Sequence, residues 1–216
     1  MIKQDKILAK GAEAIIYRGS FLQTPIVLKH RLPKIYRLPQ IDNAIRLQRL
    51  RAEARIMVSA WKIGARVPVL LGIDFGNRTL LIEEIQGEIL FFLMNTAPLI
   101  ELKSIFKAIG QQVGLLHKND ITHGDLTVFN IVINKHNEPW LIDFGLSHVS
   151  MEIEKKADDL LTFYSTLKAI SSDFQNLFDL FKLGYIEISK KGRKTFEHMK
   201  KIQSRARYIA RENRLE

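Results

Sequence analysis

Asp125, Asn130 and Asp143 carry three hard oxygen donors in a spacing suited to a magnesium–phosphate cluster. They lie in His123-Gly124-Asp125-Leu126-Thr127-Val128-Phe129-Asn130 and in Ile142-Asp143-Phe144-Gly145. An aspartate followed five positions later by an asparagine can place a carboxylate and a carboxamide on one side of a loop. A second carboxylate, thirteen residues further on, returns after a β-hairpin and is followed by a glycine turn. Mg²⁺ takes a few such oxygens and leaves its other positions to phosphate and water. Asn130 and Asp143 are the candidate metal ligands, and Asp125 is left to accept a proton or orient a nucleophile. The alternative, that Asp125 and Asn130 cap the loop and Asp143 fills a turn, requires the whole pattern to be coincidence. His123 is read as a loop anchor acting through ring hydrogen bonds.

A second group lies upstream. Lys29 ends the apolar run Ile26-Val27-Leu28, and Glu53 is the carboxylate that could hold its ammonium on nucleotide phosphates. Lys34 is a rival cation for the phosphates. The nucleotide-covering segment is Lys10-Gly11-Ala12-Glu13-Ala14, a weak phosphate-loop signal with a single glycine. No Gly-x-x-x-x-Gly-Lys-Ser/Thr sequence occurs, which removes the P-loop nucleotidases. Asp158 and Asp159 open a predicted helix; Asp159 either matches the aspartate with which protein kinases, which the Asp–Asn–Asp pattern resembles, brace their catalytic loop or, with Asp158, complements the helix dipole.

The elements needed to position these groups are legible as two blocks. Short β-branched runs at 6–9, 14–18 and 25–29, broken by Gly11 and Gly19-Ser20, predict strands. Leu47, Leu50, Ala54, Met57 and Trp61 recur at three- and four-residue steps and predict a helix that Asp42 caps. Further strands are expected at 70–74 and 79–85, around a turn at Gly76-Asn77. From Ile85 the pattern turns helical. Leu99, Leu102, Phe106, Ile109, Val113 and Leu116 form one stripe, strands are expected at 130–133 and 140–142, and helices at 158–170, 172–181 and 189–211. The fold class is therefore α+β, with an N-terminal lobe over residues 1–86, a mainly helical lobe over 87–216, and a ligand crevice between them.

Bulk composition sets outer bounds. Hydrophobic residues make up 46% of the 216, too many for a disordered chain. The absence of cysteine excludes disulfides and thiolate metal sites. No signal-like or bilayer-spanning apolar run occurs, so a cytoplasmic protein without membrane association is expected. The net charge of +10 favours an acidic partner, or equally a solvated basic surface.

The Asp–Asn–Asp pattern matches the catalytic loop and Asp-Phe-Gly segment of protein kinases. On that pattern, Leu81 to Gly87 fits the hinge that pairs with adenine, with Glu83 and Ile85 as its contacts. Gly124 stands where kinases usually carry the arginine that reads an activation-loop phosphate. More closely, Gly11-Ala12-Glu13-Ala14, Lys34-Ile35-Tyr36-Arg37, Arg51-Ala52-Glu53-Ala54-Arg55, His123-Gly124-Asp125-Leu126-Thr127 and Asp143-Phe144-Gly145-Leu146-Ser147 resemble the small atypical kinase/ATPase subunit of the KEOPS complex, the PRPK or piD-type kinase family. The resemblance covers nearly the whole chain. It implies a minimal kinase-like fold, ATP and Mg as cofactors, Ser/Thr kinase and ATPase activity, and an archaeal source. Asp125 would be the catalytic base, Lys29 with Glu53 the phosphate clamp, and Asn130 and Asp143 the Mg ligands. It further implies a larger metal-binding partner subunit, the other KEOPS subunits, and threonylcarbamoyl-adenosine modification of tRNA, with no DNA partner. This sequence departs from the pattern at Val128-Phe129, where a hydroxyl is usual, and at Leu38. Its C-terminal basic tail is thinned to Arg205, Arg207, Arg211 and Arg214, which leaves RNA contact and a solvated helix face both open. A RIO-type kinase of ribosome maturation and a non-catalytic nucleotide-sensing scaffold are the alternative readings.

Overall fold

The computed structural model describes the backbone of residues 2–212 and the side chains of residues 3–205. The chain divides into two compact units, one ending at Gln86 and the other starting at Gly87.

The first unit is an antiparallel sheet with one long helix. Its strands are β1 (Ile2–Lys10), β2 (Ala14–Phe21), β3 (Thr24–Arg31), β4 (Leu70–Asp74) and β5 (Thr79–Glu83), in the order β1-β2-β3-β5-β4. The helix, α1, runs Pro39–Lys62. β3 is central, and Lys29 is paired with Ile16 on one side and Leu80 on the other. Because side chains alternate along a strand, Lys29 and Arg31 share one face. α1 buries Leu50, Ala54, Ile56, Met57 and Ala60 as its core stripe. Trp61, expected in that stripe, is 55% exposed, because the stripe drifts toward Ala60 in the last turn. Asp42 does not cap the helix. Leu38 occupies the cap position and Pro39 starts the helix, where a missing N–H is harmless. Asp42 is instead buried one turn in, accepting from the Lys34 amide at 3.3 Å and from Arg46 Nε at 2.7 Å. β5 stops at Glu83, two residues short of the expected end. The β4–β5 turn is held by Asp74, which accepts from the amide of Asn77 at 2.9 Å and from its side chain at 2.8 Å.

The second unit is mainly helical. α2 (Leu90–Leu93) is a single turn; α3 (Leu99–Lys118), α4 (Ile153–Ile170), α5 (Phe174–Ile188) and α6 (Gly192–Glu212) supply the core. α3 and α5 cross with their backbones close. A Cβ on Gly110 would lie 1.9 Å from the Phe181 carbonyl oxygen, and one on Gly184 would lie 2.0 Å from that of Lys107. Phe106, Phe163, Phe181 and Tyr185 fill the space beside that crossing and are fully buried. Leu99, expected at the head of the α3 stripe, is 48% exposed.

The β insert consists of β6 (Gly87–Ile89), β8 (Ile131–Asn134) and β9 (Pro139–Leu141), in the order β6-β8-β9; β7 (Ile121–Thr122) pairs with β10 (His148–Val149). Asn130 falls in a 3₁₀ turn (Val128–Asn130) just before β8 rather than inside the strand. α4 begins at Ile153, five residues before the expected start, so Asp158 and Asp159 lie in its second turn. α5 continues to Ile188, beyond the predicted end at 181. Among the described residues no helix is long and apolar enough to cross a membrane. Of the basic tail, Arg214 and the side chains of Arg207 and Arg211 lie outside the described residues.

Candidate active site

In the first unit the strand–helix pairing brings Lys29 to Glu53. Lys29 Nζ lies 2.6 Å from Glu53 Oε1, with both side chains buried. Arg31, two residues along the same face of β3, bonds the other carboxylate oxygen of Glu53. Glu53 thus sits between two buried cations, and Arg31 also lies 3.9 Å from Glu13 Oε2, so the cluster is an ion-pair network. Sequence reading missed Arg31, although the two-residue strand period placed it beside Lys29.

The segment Gly11–Ala14 turns between β1 and β2, with the Gly11 amide donating to the Ala14 carbonyl at 2.9 Å. It is tied down from three directions. Glu13 accepts two bonds from Arg49 Nη1, at 2.5 and 2.6 Å, the Leu32 amide donates to the Glu13 carbonyl at 2.9 Å, and Lys34 Nζ donates to the Ala12 carbonyl. The hydrogen bond from Arg49 holds the Glu13 carboxyl below the usual carboxylate range. Lys34 therefore fastens the loop. Glu83 is held within the sheet, its amide donating to the Val69 carbonyl at 2.9 Å and its Oε2 accepting from the Val69 amide at 3.0 Å. Ile85 follows the end of β5 and stands outside any strand.

In the second unit the three oxygen donors are joined by short links. Asn130 Nδ2 donates to the Asp125 carbonyl at 2.8 Å and to Asp125 Oδ2 at 2.9 Å. The Ile142 amide donates to the Asn130 carbonyl at 3.0 Å, extending the β8–β9 ladder by one rung beyond Ile131 and Leu141. Asp143 is the next residue. Its φ of 63° is left-handed, a conformation aspartate tolerates better than most residues. The Gly145 amide donates to its Oδ1 at 3.1 Å. Asp143 is exposed, whereas Phe144 beside it is buried.

This donor set fits Mg²⁺. Asn130 turns its NH₂ toward Asp125, so its carboxamide oxygen faces away from that carboxylate. Asp143 adds an exposed carboxylate. Among the described residues there is no group of three His, Cys, Asp or Glu that would form an all-protein cage. A site with one carboxylate and one amide oxygen suits a cation that completes its shell with phosphate and water.

The loop is held from behind by Asp159. Its carboxylate accepts from the His123 amide at 2.6 Å, the Gly124 amide at 2.8 Å and His117 Nε2 at 3.0 Å. Burial would raise this carboxyl, but His117 and the neighbouring donors more than offset it and hold it below the usual range. Of the two roles open for Asp159, bracing of the loop is the one seen; Asp158 is exposed. His117 and Tyr185 extend the brace, with Tyr185 Oη 2.9 Å from His117 Nδ1. Burial pushes the Tyr185 hydroxyl up to about 12, so it stays protonated and can donate to that nitrogen. Neither residue stood out in the sequence, because both sit within ordinary apolar helix stripes.

His123 anchors the loop on its other side. Its Nε2 lies 3.0 Å from the Ile142 carbonyl oxygen and its ring packs 4.9 Å from that of Phe144. Gly124 has φ of 79°, and a Cβ there would lie 2.1 Å from the Leu146 carbonyl oxygen. No arginine could stand at this position with the loop in place. The absence of the phosphate-reading arginine thus has a steric cause.

The comparisons with known proteins agree on the class. The RIO domain family model matches residues 40–182. The KEOPS complex subunit Bud32 of Pyrococcus abyssi is 34% identical over 95% of this chain and 97% of its own length. The EKC/KEOPS complex subunit bud32 of Dictyostelium discoideum is 30% identical over 96% of this chain and 86% of its own. A probable bifunctional tRNA threonylcarbamoyladenosine biosynthesis protein of Methanosphaera stadtmanae is 35% identical, and the chain spans 37% of its length. The fold is that of the kinase-like RIO-domain class. Within that class, the chain belongs to the family of the KEOPS subunit Bud32.

Proposed function

We propose that this protein is a Mg-ATP-dependent phosphotransferase and ATPase that serves threonylcarbamoyl-adenosine modification of tRNA as a KEOPS subunit. The observation that carries the chemistry is the short chain of bonds from Asp125 through Asn130 to the Ile142–Asp143 backbone. The assembly rests on relatives that bear the KEOPS name and align over 95–96% of the chain, well beyond the RIO match at residues 40–182. That distribution favours tRNA modification over ribosome maturation.

In this reading Lys29, fixed by Glu53, neutralises nucleotide phosphate charge, and Gly11–Ala14 covers the nucleotide. The segment at Glu83 and Ile85 receives the adenine. Asn130 and Asp143 would hold Mg²⁺, which would supply neutralisation of the charge on the transferring phosphoryl group as ADP leaves. Asp125, oriented by the Asn130 amide, positions the acceptor and takes its proton, whether the acceptor is water or a Ser/Thr hydroxyl. Most of the rate enhancement then comes from positioning and electrostatic stabilisation.

The test is a pull-down from native extract followed by ATPase assays with and without the captured partner. A captured tRNA-modification subunit and turnover lost in Asp125→Asn are expected. Capture of pre-ribosomal particles would reassign the pathway. ATP binding without turnover in any of these preparations would leave a nucleotide-sensing scaffold.

A further inference from the structure

The net charge of this protein is unevenly placed. Residues 31–66 hold nine lysines and arginines and only two acids, a net +7; residues 190–216 carry the same net +7, and residues 67–189 carry −7. Both acids are buried and already engaged, Asp42 with Arg46 and Glu53 with Lys29 and Arg31. The outward side of α1 is therefore cationic without exposed acids. Arg51, Arg55 and Lys62 are exposed there, and among the described residues none of the three is in an ion pair.

Aromatic rings accompany these charges. Tyr36 is 73% exposed with the Arg37 guanidinium 5.2 Å from its ring, and Phe75 is 47% exposed with that of Arg51 at 5.6 Å. We infer that the surface formed by α1 and the segment preceding it is an RNA-binding face, which takes the phosphate backbone on its arginines and an unpaired base on Tyr36.

Three features favour RNA over other acidic partners. From Arg51 to Lys62 the helix rises roughly 16 Å, which suits a run of phosphates better than one phosphoryl group. Two of the three exposed cations, Arg51 and Arg55, are arginines, whose planar fork matches phosphate oxygens. Exposed rings beside guanidinium groups are the stacking platforms of single-strand binders. This inference deepens the tRNA reading above, but it concerns residues outside the proposed ATP machinery and stands on a separate measurement.

That measurement is fluorescence anisotropy of the full chain with a labelled unmodified tRNA transcript and a labelled oligouridine, over a potassium chloride series. R51A/R55A/K62A should weaken binding about tenfold or more and reduce the salt slope by roughly two, since each single-strand phosphate contact contributes about 0.7. Y36A should weaken oligouridine binding about tenfold with little change in slope. A triple Lys200→Ala, Lys201→Ala, Arg205→Ala variant separates the C-terminal helix. The inference is overturned if the α1 triple variant keeps wild-type affinity and slope, or if the whole loss follows the C-terminal substitutions. Capture by phosphatidylserine vesicles in place of RNA overturns it as well. Mg-ATP turnover of the same α1 variant should match wild type; turnover absent from wild type itself refutes the proposed ATP chemistry while leaving the RNA isotherms to decide this point.

Discussion

A lysine, an arginine and a glutamate buried within one strand–helix contact are a poor device for stability, since hydrophobic residues of similar volume would hold the same space. In the proposed function this cluster holds Lys29 for the nucleotide phosphates. Glu53→Ala, which leaves Lys29 and Arg31 buried without their carboxylate, should destabilise by about 3–5 kcal/mol in denaturant unfolding. Lys29→Met keeps the bulk and should lower kcat for ATP by about 10²–10³-fold with a smaller loss of stability. His123 gives a pH prediction. Burial lowers its pKa despite the nearby carboxylates of Asp159, Asp143 and Asp125. The folded state therefore resists a proton that the unfolded chain accepts below about 6.5. Stability is fully present above that pH and declines as pH falls below it. Thermal unfolding between pH 7.5 and 5 should show that decline, and it should be shallower in His123→Gln; parallel curves would reject the assignment.

At the scale of elements, the loop that carries Asp125 is a suspended segment whose shape comes from its neighbours. Asp159 on α4 and the Ile142 carbonyl after β9 hold its two sides. Asp159→Ala would strand two amides and one imidazole nitrogen, and a cost of roughly 3 kcal/mol or more is expected. Asp159→Asn, which retains one acceptor, should recover part of that loss. Gly124→Ala should destabilise the loop and abolish turnover, because its Cβ meets a backbone oxygen. These supports also mark how much of the architecture was legible. The amphipathic stripes of α1 and α3, and the apolar runs of β2 to β5, announced themselves through periodicity. Asp125, Asn130 and Asp143 announced themselves through spacing. β7 and β10, two residues each, carry no periodic signal, and their pairing depends on contacts across 26 residues. Asp42 was misread as a cap because Pro39 starts the helix a turn earlier, and Trp61 was misread as core because the stripe rotates along α1. Tyr185 and His117 are polar members of apolar faces, visible only once α3 and α5 are packed.

On the scale of the whole chain, two proposals are separable: the nucleotide chemistry proposed for the site residues, and the RNA contact proposed for the cationic side of α1. If Mg-ATP binds the native state alone, it should raise stability by about 2.7 kcal/mol at a hundredfold excess over its Kd, and a Tm series against ATP concentration measures this. Substitutions on the outward side of α1 should leave that increment intact. The central claim is that Asp143, set beside Asn130 by the β8–β9 hairpin, holds the metal on which ATP turnover depends. Its most direct test is the Mg²⁺ dependence of ATP turnover by the purified wild-type protein and by Asp143→Ala, with folding verified by thermal unfolding. Turnover that rises with Mg²⁺ in wild type and is absent from the folded variant at every Mg²⁺ concentration is the predicted result. Equal turnover by the two proteins would contradict it.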